Sequence, residues 1–526
     1  MRILIKNGYI VDGTGGPGYY GDILVHQDKI EEIGRTAKRA GQVIDAKGLA
    51  VAPGFIDTHS HSDLELLLRP EVLPKLKQGI TTEVLGQDGI SMAPLPIACI
   101  SPWRKNLAGL DGASDSVDWT YQDTAHYLKL IEAAHPAVNV CYLLPHGNIR
   151  MEAMGLENRQ PTKEELERMK EIVRREMEAG AIGISDGLIY MPCAYSEEEE
   201  IIEICKVARE YGGIYVVHQR SEADSILESM EEIVRIGKKS GIPIHFSHFK
   251  VCGRKNWNKI GEVLAILDRC AAEGVRVSFD QYPYVAGSTM LGVILPPWAH
   301  DGGTDRLLMR LSDMELRRKM IYDMEHGIEG WDNFIDFAGL DQIFITSVKT
   351  EKNREAVGLN LVQLGELRGK DPYEAAFDLL LEEENAVGMV DFYGTEEHIA
   401  CFMKRPEMNA CTDGLLGGKP HPRVYGAFAR ILSSYVRESK VLTLEEAIYK
   451  MTWKAAQAMH IKNRGKLEPG YYADICIFNP DTVRDKGSFT DPARHPEGIE
   501  YVIVNGAVAV EQGEFTNTLA GKVLYR

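Results

Sequence analysis

From residue 54 onward, short apolar runs alternate with longer stretches whose apolar positions recur every three or four residues. The first pattern predicts strands and the second amphipathic helices. Strands are predicted at 54–61, 80–87, 138–145, 181–187, 214–219, 242–249, 275–281 and 408–413. Helices are predicted between several of them, at 163–179, 197–211, 225–240 and 259–272. This alternation predicts an α/β fold, a (β/α)8 barrel of TIM type, with its active site at the C-terminal ends of the strands. Segments 342–348 and 387–392 are also strand-like, so the choice of eight is not forced. The stretch 288–348 breaks the alternation with Leu295-Pro296-Pro297-Trp298 and a charged helix near 305–326. It reads as an insertion that could cap the site, with a surface excursion as the alternative, since long insertions are well tolerated.

The two ends of the chain differ from the middle. Residues 1–53 hold short strands at 3–5, 22–25 and 29–33, with Asp12-Gly13 and Gly15-Gly16 as turn signals. Residues 461–526 hold similar strands at 473–478 and 501–506. The ends are expected to join in one small β-sandwich flanking a catalytic barrel over 54–460.

Composition narrows the function. A chain of 526 residues can bury a large core, and its formal charge of −18 argues against nucleic acid and anionic membrane as partners. The opening Met1-Arg2-Ile3-Leu4-Ile5-Lys6-Asn7-Gly8 is too polar for a signal-peptide core. No apolar run reaches the ~20 residues of a membrane span. Nine scattered cysteines without a Cys-x-x-Cys suit reduced thiols and a cytoplasmic location.

The chemistry gathers at the predicted strand ends. His59 and His61 are two apart, so on a strand both project to one face. Two imidazoles converging there suit a divalent metal. His218, His248 and Asp413 end later strands, and Asp88 follows the second. His245 is three residues from His248 and faces the other way, as a structural residue. Taken singly, each histidine reads better as a satisfied core or surface residue than as a ligand. Asp88 alone would also read as a turn cap. Their recurrence at the ends of separate strands is what points to a metal centre.

The chain resembles the amidohydrolase superfamily, and within it the N-acyl-D-amino acid deacylase (D-aminoacylase) family. The resemblance covers nearly the whole chain. It is carried by Pro53-Gly54-Phe55-Ile56-Asp57-Thr58-His59-Ser60-His61-Ser62-Asp63, Gly79-Ile80-Thr81-Thr82 and Gly89-Ile90-Ser91-Met92-Ala93-Pro94. Further along it is carried by Gly187-Leu188-Ile189-Tyr190, His218-Gln219-Arg220 and Ser247-His248-Phe249-Lys250. Asp280-Gln281-Tyr282-Pro283-Tyr284, Thr412-Asp413-Gly414 and His421-Pro422-Arg423 complete it, with Ala473-Asp474-Ile475 shared by the wider superfamily.

The resemblance implies roles. His218 and His248 match the ligands of a tightly bound zinc. His59, His61 and Asp413 match those of a second, often weaker site, and Asp413 also matches the catalytic base. Tyr190 matches a tyrosine that polarises the substrate carbonyl, and Lys250, Tyr282 and Arg423 match groups that hold the substrate carboxylate. The cofactor implied is a divalent metal, zinc, as one or two ions. Where the family usually has a cysteine ligand, this chain has Asp88, a harder ligand that can still bridge two metals. The fourth strand, 181–187, offers no lysine for carboxylation, which argues against a dihydroorotase or hydantoinase type of centre.

Elementary chemistry agrees with these roles. A carboxylate such as Asp413 can move a proton from water to a leaving nitrogen. Arg423 can clamp a carboxylate with a planar fork, and Lys250 adds a point charge. The implied function is hydrolysis of N-acyl-D-amino acids to a carboxylate and a free D-amino acid. Another amidohydrolase reaction, on a cyclic amide or by deamination, is the first alternative, and a non-catalytic barrel scaffold the second. The resemblance places 285–298 along the side-chain pocket. That segment has no Arg or Lys, so apolar or neutral side chains are expected.

Overall fold

The computed structural model describes residues 2–112 and 114–526. Both ends of the chain meet in a single nine-stranded sheet. Strand Ala50–Pro53 sits at the join, parallel to Arg2–Ile10 on one side and antiparallel to Ile475–Phe478 on the other. Alternation divides its side chains between two cores. Val51, Ile475, Ile477 and Ile503 pack with Ile3, Ile5, Ile23 and Val25 in the small domain. Their neighbours Ala50, Ala52, Cys476, Phe478, Val502 and Val504 turn towards the barrel core. The satellite is thereby fastened to the barrel through one shared sheet.

The eight expected segments supply the parallel strands of the barrel. Phe55–Asp57, Ile80–Leu85 and Asn139–Tyr142 pair in that order. The third strand continues as Leu144–Pro145, which pairs with Gly183–Gly187. Ile214–His218, Ile244–Phe246, Val277–Gln281 and Met408–Ala410 follow in register. Closure comes from Gly414–Leu415 running parallel to Ser60–His61, with the Asp413 amide donating to the His59 carbonyl at 2.9 Å. The outer helices form where amphipathic runs are well capped. Lys163–Glu178 starts with a Thr162/Glu165 capping box and buries Met169, Ile172, Val173 and Met177 along one stripe.

The excursion from the barrel is longer than its expected end at 348. Strand Ala286–Met290 pairs antiparallel with Val387–Phe392, which pairs in turn with Ile343–Val348. The two extra strand-like segments therefore belong to a separate three-stranded sheet. An isolated edge at 343–348 would leave backbone groups unpaired, and its partner comes from well beyond it in sequence. The sheet has its own core with Leu307, Leu311, Met320, Leu361, Leu364 and Phe377. The charged helix expected near 305–326 is two helices, Thr304–Leu311 and Met314–His326. Asp313 interrupts it and caps the second by accepting from the amides of Glu315 and Leu316. No helix among the described residues is long and apolar enough to cross a membrane.

Candidate metal centre and substrate cavity

Six side chains converge where the barrel strands end. His59 and His61 leave the first strand with their Nε2 atoms 3.3 Å apart. Asp88 follows the second strand and lies between them and a later histidine. Its Oδ1 is 3.6 Å from His59 Nε2 and 3.7 Å from His248 Nε2, and its Oδ2 is 3.5 Å from His61 Nε2. His218 ends the fifth strand, with Nδ1 2.9 Å from His248 Nε2. Asp413 follows the eighth, its Oδ1 3.5 Å from His61 Nε2 and 3.8 Å from His59 Nε2. Three of these donors have left-handed backbones: Asp88 at φ 54°, His248 at φ 34° and Asp413 at φ 47°. Such conformations cost ~1–3 kcal/mol each and cluster where side chains must be aimed.

The donor set fits a divalent cation. Imidazole nitrogens facing one another at hydrogen-bond distance cannot all carry protons, and Asp88 Oδ1 is buried without a hydrogen-bond partner. Burial lowers His218 to about 3, so it is neutral and its Nδ1 can accept from the facing His248 Nε2. Burial and the neighbouring Lys250 ammonium oppose the charged form of His248, but Glu222, Asp413 and Asp88 outweigh them and hold that group at about 9. A cation there would displace that proton. Burial alone would raise Asp88, yet His59, His248 and His61 hold its carboxyl well below the usual range.

Several groups were not foreseen from sequence. Glu222 stands four residues after His218, with Oε1 3.2 Å from His248 Nδ1, and completes a His218, Glu222, His248 cluster. Asp111 lies 3.5 Å from His61 Nδ1, and Asp280 lies 3.8 Å from His59 Nδ1 while accepting from the His248 amide at 2.5 Å. Carboxylates behind metal-facing histidines fix ring orientation and tautomer. His245 is away from the cluster, held between Ser278 and Asp280 at 2.8 Å each.

The candidate substrate groups take different positions. Tyr190 is edge-on to His218, and its hydroxyl is 2.8 Å from Thr289 Oγ1. Burial, reinforced by Asp88, pushes the phenol well above its usual range, so it stays a donor. Lys250 Nζ contacts Glu222 Oε2 at 2.5 Å and His248 Nδ1 at 2.8 Å. Tyr282 is hydrogen-bonded to Tyr393 at 2.5 Å. Arg423 lies beneath Asp413, with Nη1 2.9 Å from Oδ2, Nη2 donating to the Ser288 carbonyl at 3.0 Å, and Nε without a partner.

Tyr190, Lys250 and Tyr282 line an inner cavity together with His61, Asp88, His218 and Asp413, whereas Arg423, expected to reach the substrate carboxylate, is fully buried behind Asp413 and does not line it. A wider cleft adjoins it and shares Tyr190, Asp332 and Phe334. The segment 285–298 spans both. Gly287, Ser288 and Thr289 face the cavity, and Met290, Val293, Leu295 and Pro297 face the cleft.

Known proteins share this architecture. The amidohydrolase family profile matches residues 42–301 and 413–510. The chain is 35% identical to a D-aminoacylase of Alcaligenes xylosoxydans xylosoxydans, covering 100% of this chain and 97% of the relative. It is 34% identical to an N-acyl-D-aspartate deacylase of the same organism, over 96% and 91%. The crystal structure of the Bordetella bronchiseptica N-acyl-D-glutamate deacylase, complexed with zinc and a phosphonate mimic of the tetrahedral intermediate, superimposes with a TM-score of 0.84. It is 32% identical and covers 100% of this chain and 99% of that one. A D-aminoacylase with a binuclear metal centre also gives 0.84, at 34% identity over 100% and 99%.

Proposed function

This chain belongs to the amidohydrolase family, and on that premise we propose that it hydrolyses N-acyl-D-amino acids to a carboxylate and a free D-amino acid, using zinc. The observation that carries this reading is one cavity that joins the buried donor cluster to Lys250, Tyr282 and Tyr190. His59, His61, Asp88, His218, His248 and Asp413 would hold the metal, as one ion or two. When bound, a divalent cation lowers the pKa of its water towards ~7 and polarises a carbonyl.

The chain's own residues do the rest. Lys250 and Tyr282 hold the substrate carboxylate, and Arg423 stands behind them against the Tyr282 ring and Asp413. Tyr190 donates to the oxygen of the scissile carbonyl, where negative charge develops. Asp413 takes the proton of the attacking water and delivers it to the departing nitrogen. A free carboxylate beside the scissile amide favours this reaction over ring opening or deamination. Nine free cysteines suit a reducing cytoplasm. Acetyl, formyl and succinyl derivatives of both amino-acid enantiomers, supplied with zinc, manganese or cobalt, test the reaction. Release of the D-amino acid alone is the expected result.

Side-chain preference follows from the cleft. Its two basic groups are spent. Arg220 forks onto Glu232 at 3.0–3.1 Å, and burial lowers His300 to about 4, leaving it neutral. Burying a substrate carboxylate there costs several kcal/mol. N-acetyl-D-leucine is therefore expected to exceed N-acetyl-D-glutamate in kcat/KM. A clear preference for the glutamate derivative would overturn this assignment.

A further inference from the structure

Asp391 is the acid of the inner cavity that the proposed reaction does not use. It lies on strand Val387–Phe392, lines the cavity and is only 2% exposed. Its Oδ2 has no hydrogen-bond partner. Directly across the ladder is Gly287, also on the cavity wall. A Cβ on Gly287 would stand 3.0 Å from the Tyr393 ring, 3.1 Å from Asp391 Oδ1 and 3.6 Å from Tyr282 Oη. Any side chain there would crowd these groups, so the glycine lets an acid and two phenols stand together on the cavity wall. Lys250 and Arg423 reach the same phenols, 5.6 Å from the Tyr393 centroid and 4.4 Å from the Tyr282 centroid. Both cations are paired elsewhere, with Glu222 and Asp413. An ionised Asp391 would be buried without a partner and would repel an incoming carboxylate. The neutral acid instead offers an O–H to an acceptor.

We propose that Asp391 is a substrate-binding residue whose protonated carboxyl donates a hydrogen bond to the substrate carboxylate, so that binding requires one proton on Asp391. This rests on the reading that the inner cavity receives a carboxylate. Burial pushes the Asp391 carboxyl up to about 7, with Lys250 and Arg423 pulling it down and Glu222 pushing it further up. The other titratable groups facing it are Tyr282, Tyr393 and Cys252. Below that value the acid form is present and binding is complete. Above it the proton must be taken up, and affinity falls ~tenfold per pH unit, the slope for one linked proton.

Isocaproate is the test ligand, because it carries a carboxylate and an apolar chain but no amide to hydrolyse. Its affinity for the zinc-loaded enzyme, measured calorimetrically from about pH 6 to about pH 9, is expected to be flat and then to fall at that slope. The uncharged isocaproamide is expected to show no such fall. Asp391→Asn keeps an N–H donor at every pH and is expected to flatten the isocaproate profile. The KM for N-acetyl-D-leucine should follow the same pattern. A flat wild-type profile, an unchanged fall in Asp391→Asn, or no isocaproate binding at any pH would overturn the proposal. The expected binding profile without any amide hydrolysis would instead retain this role and remove the proposed reaction.

Discussion

Asp413→Asn is expected to lose ~10²–10⁴-fold in turnover, the usual contribution of general acid–base catalysis, while keeping much of its metal. The substitution preserves shape and one potential ligand oxygen but removes the ability to take up a proton. Burial opposes ionisation of Asp413, yet Arg423, His248 and His59 outweigh it and hold the carboxyl far below its usual range. It is thus a carboxylate throughout neutral pH, 2.9 Å from the guanidinium and within 3.8 Å of both first-strand histidines. Paired measurements of kcat and metal content check the prediction. A variant within about threefold of wild-type turnover, small on the scale of such effects, would assign the base elsewhere.

Lys75→Met is expected to destabilise the fold by ~3–5 kcal/mol, the range for breaking a buried ion pair by removing one partner. Lys75 is fully buried, yet Asp57 and Glu83 keep its ammonium favoured against the opposing effect of burial. Its Nζ donates to Asp57 Oδ2 at 2.8 Å, Ser60 Oγ at 2.8 Å and Thr412 Oγ1 at 2.7 Å, and lies 3.0 Å from Glu83 Oε1. Asp57 also accepts from the Thr412 amide at 2.8 Å, across the seam where the last barrel strand meets the first. Methionine fills the space but leaves two buried carboxylates without their cation. Denaturant unfolding measures the loss. A change below about 1 kcal/mol, the level of an exposed pair, would mean that the seam is held by its backbone contacts instead.

The features legible in the sequence were those set by local period. Two-residue spacing put His59 and His61 on one face, and three-residue spacing separated His245 from His248. Strand ends located Asp88, His218 and Asp413, because barrel strands deliver their last residues to one rim. What escaped depends on tertiary neighbours. Glu222 lies in a loop after His218, where no period says which way a side chain turns. Asp111 reaches His61 from a loop between the second and third barrel strands. Asp391 depends on an antiparallel pairing with Gly287, more than a hundred residues away in sequence. That same pairing carries the excursion past 348, since strand propensity identifies a strand but not its partner. Arg423 was legible as a cation but not as one seated beneath Asp413.

Zinc titration into chelator-stripped protein, following leucine release from N-acetyl-D-leucine beside its L enantiomer, decides whether the chain is a metal-dependent, D-specific deacylase. The stripped protein is expected to show no turnover, activity is expected to recover as the His59, His61, Asp88, His218, His248 and Asp413 cluster fills, and the D enantiomer alone is expected to react. Full activity in rigorously metal-free protein, or equal hydrolysis of both enantiomers, would contradict that function.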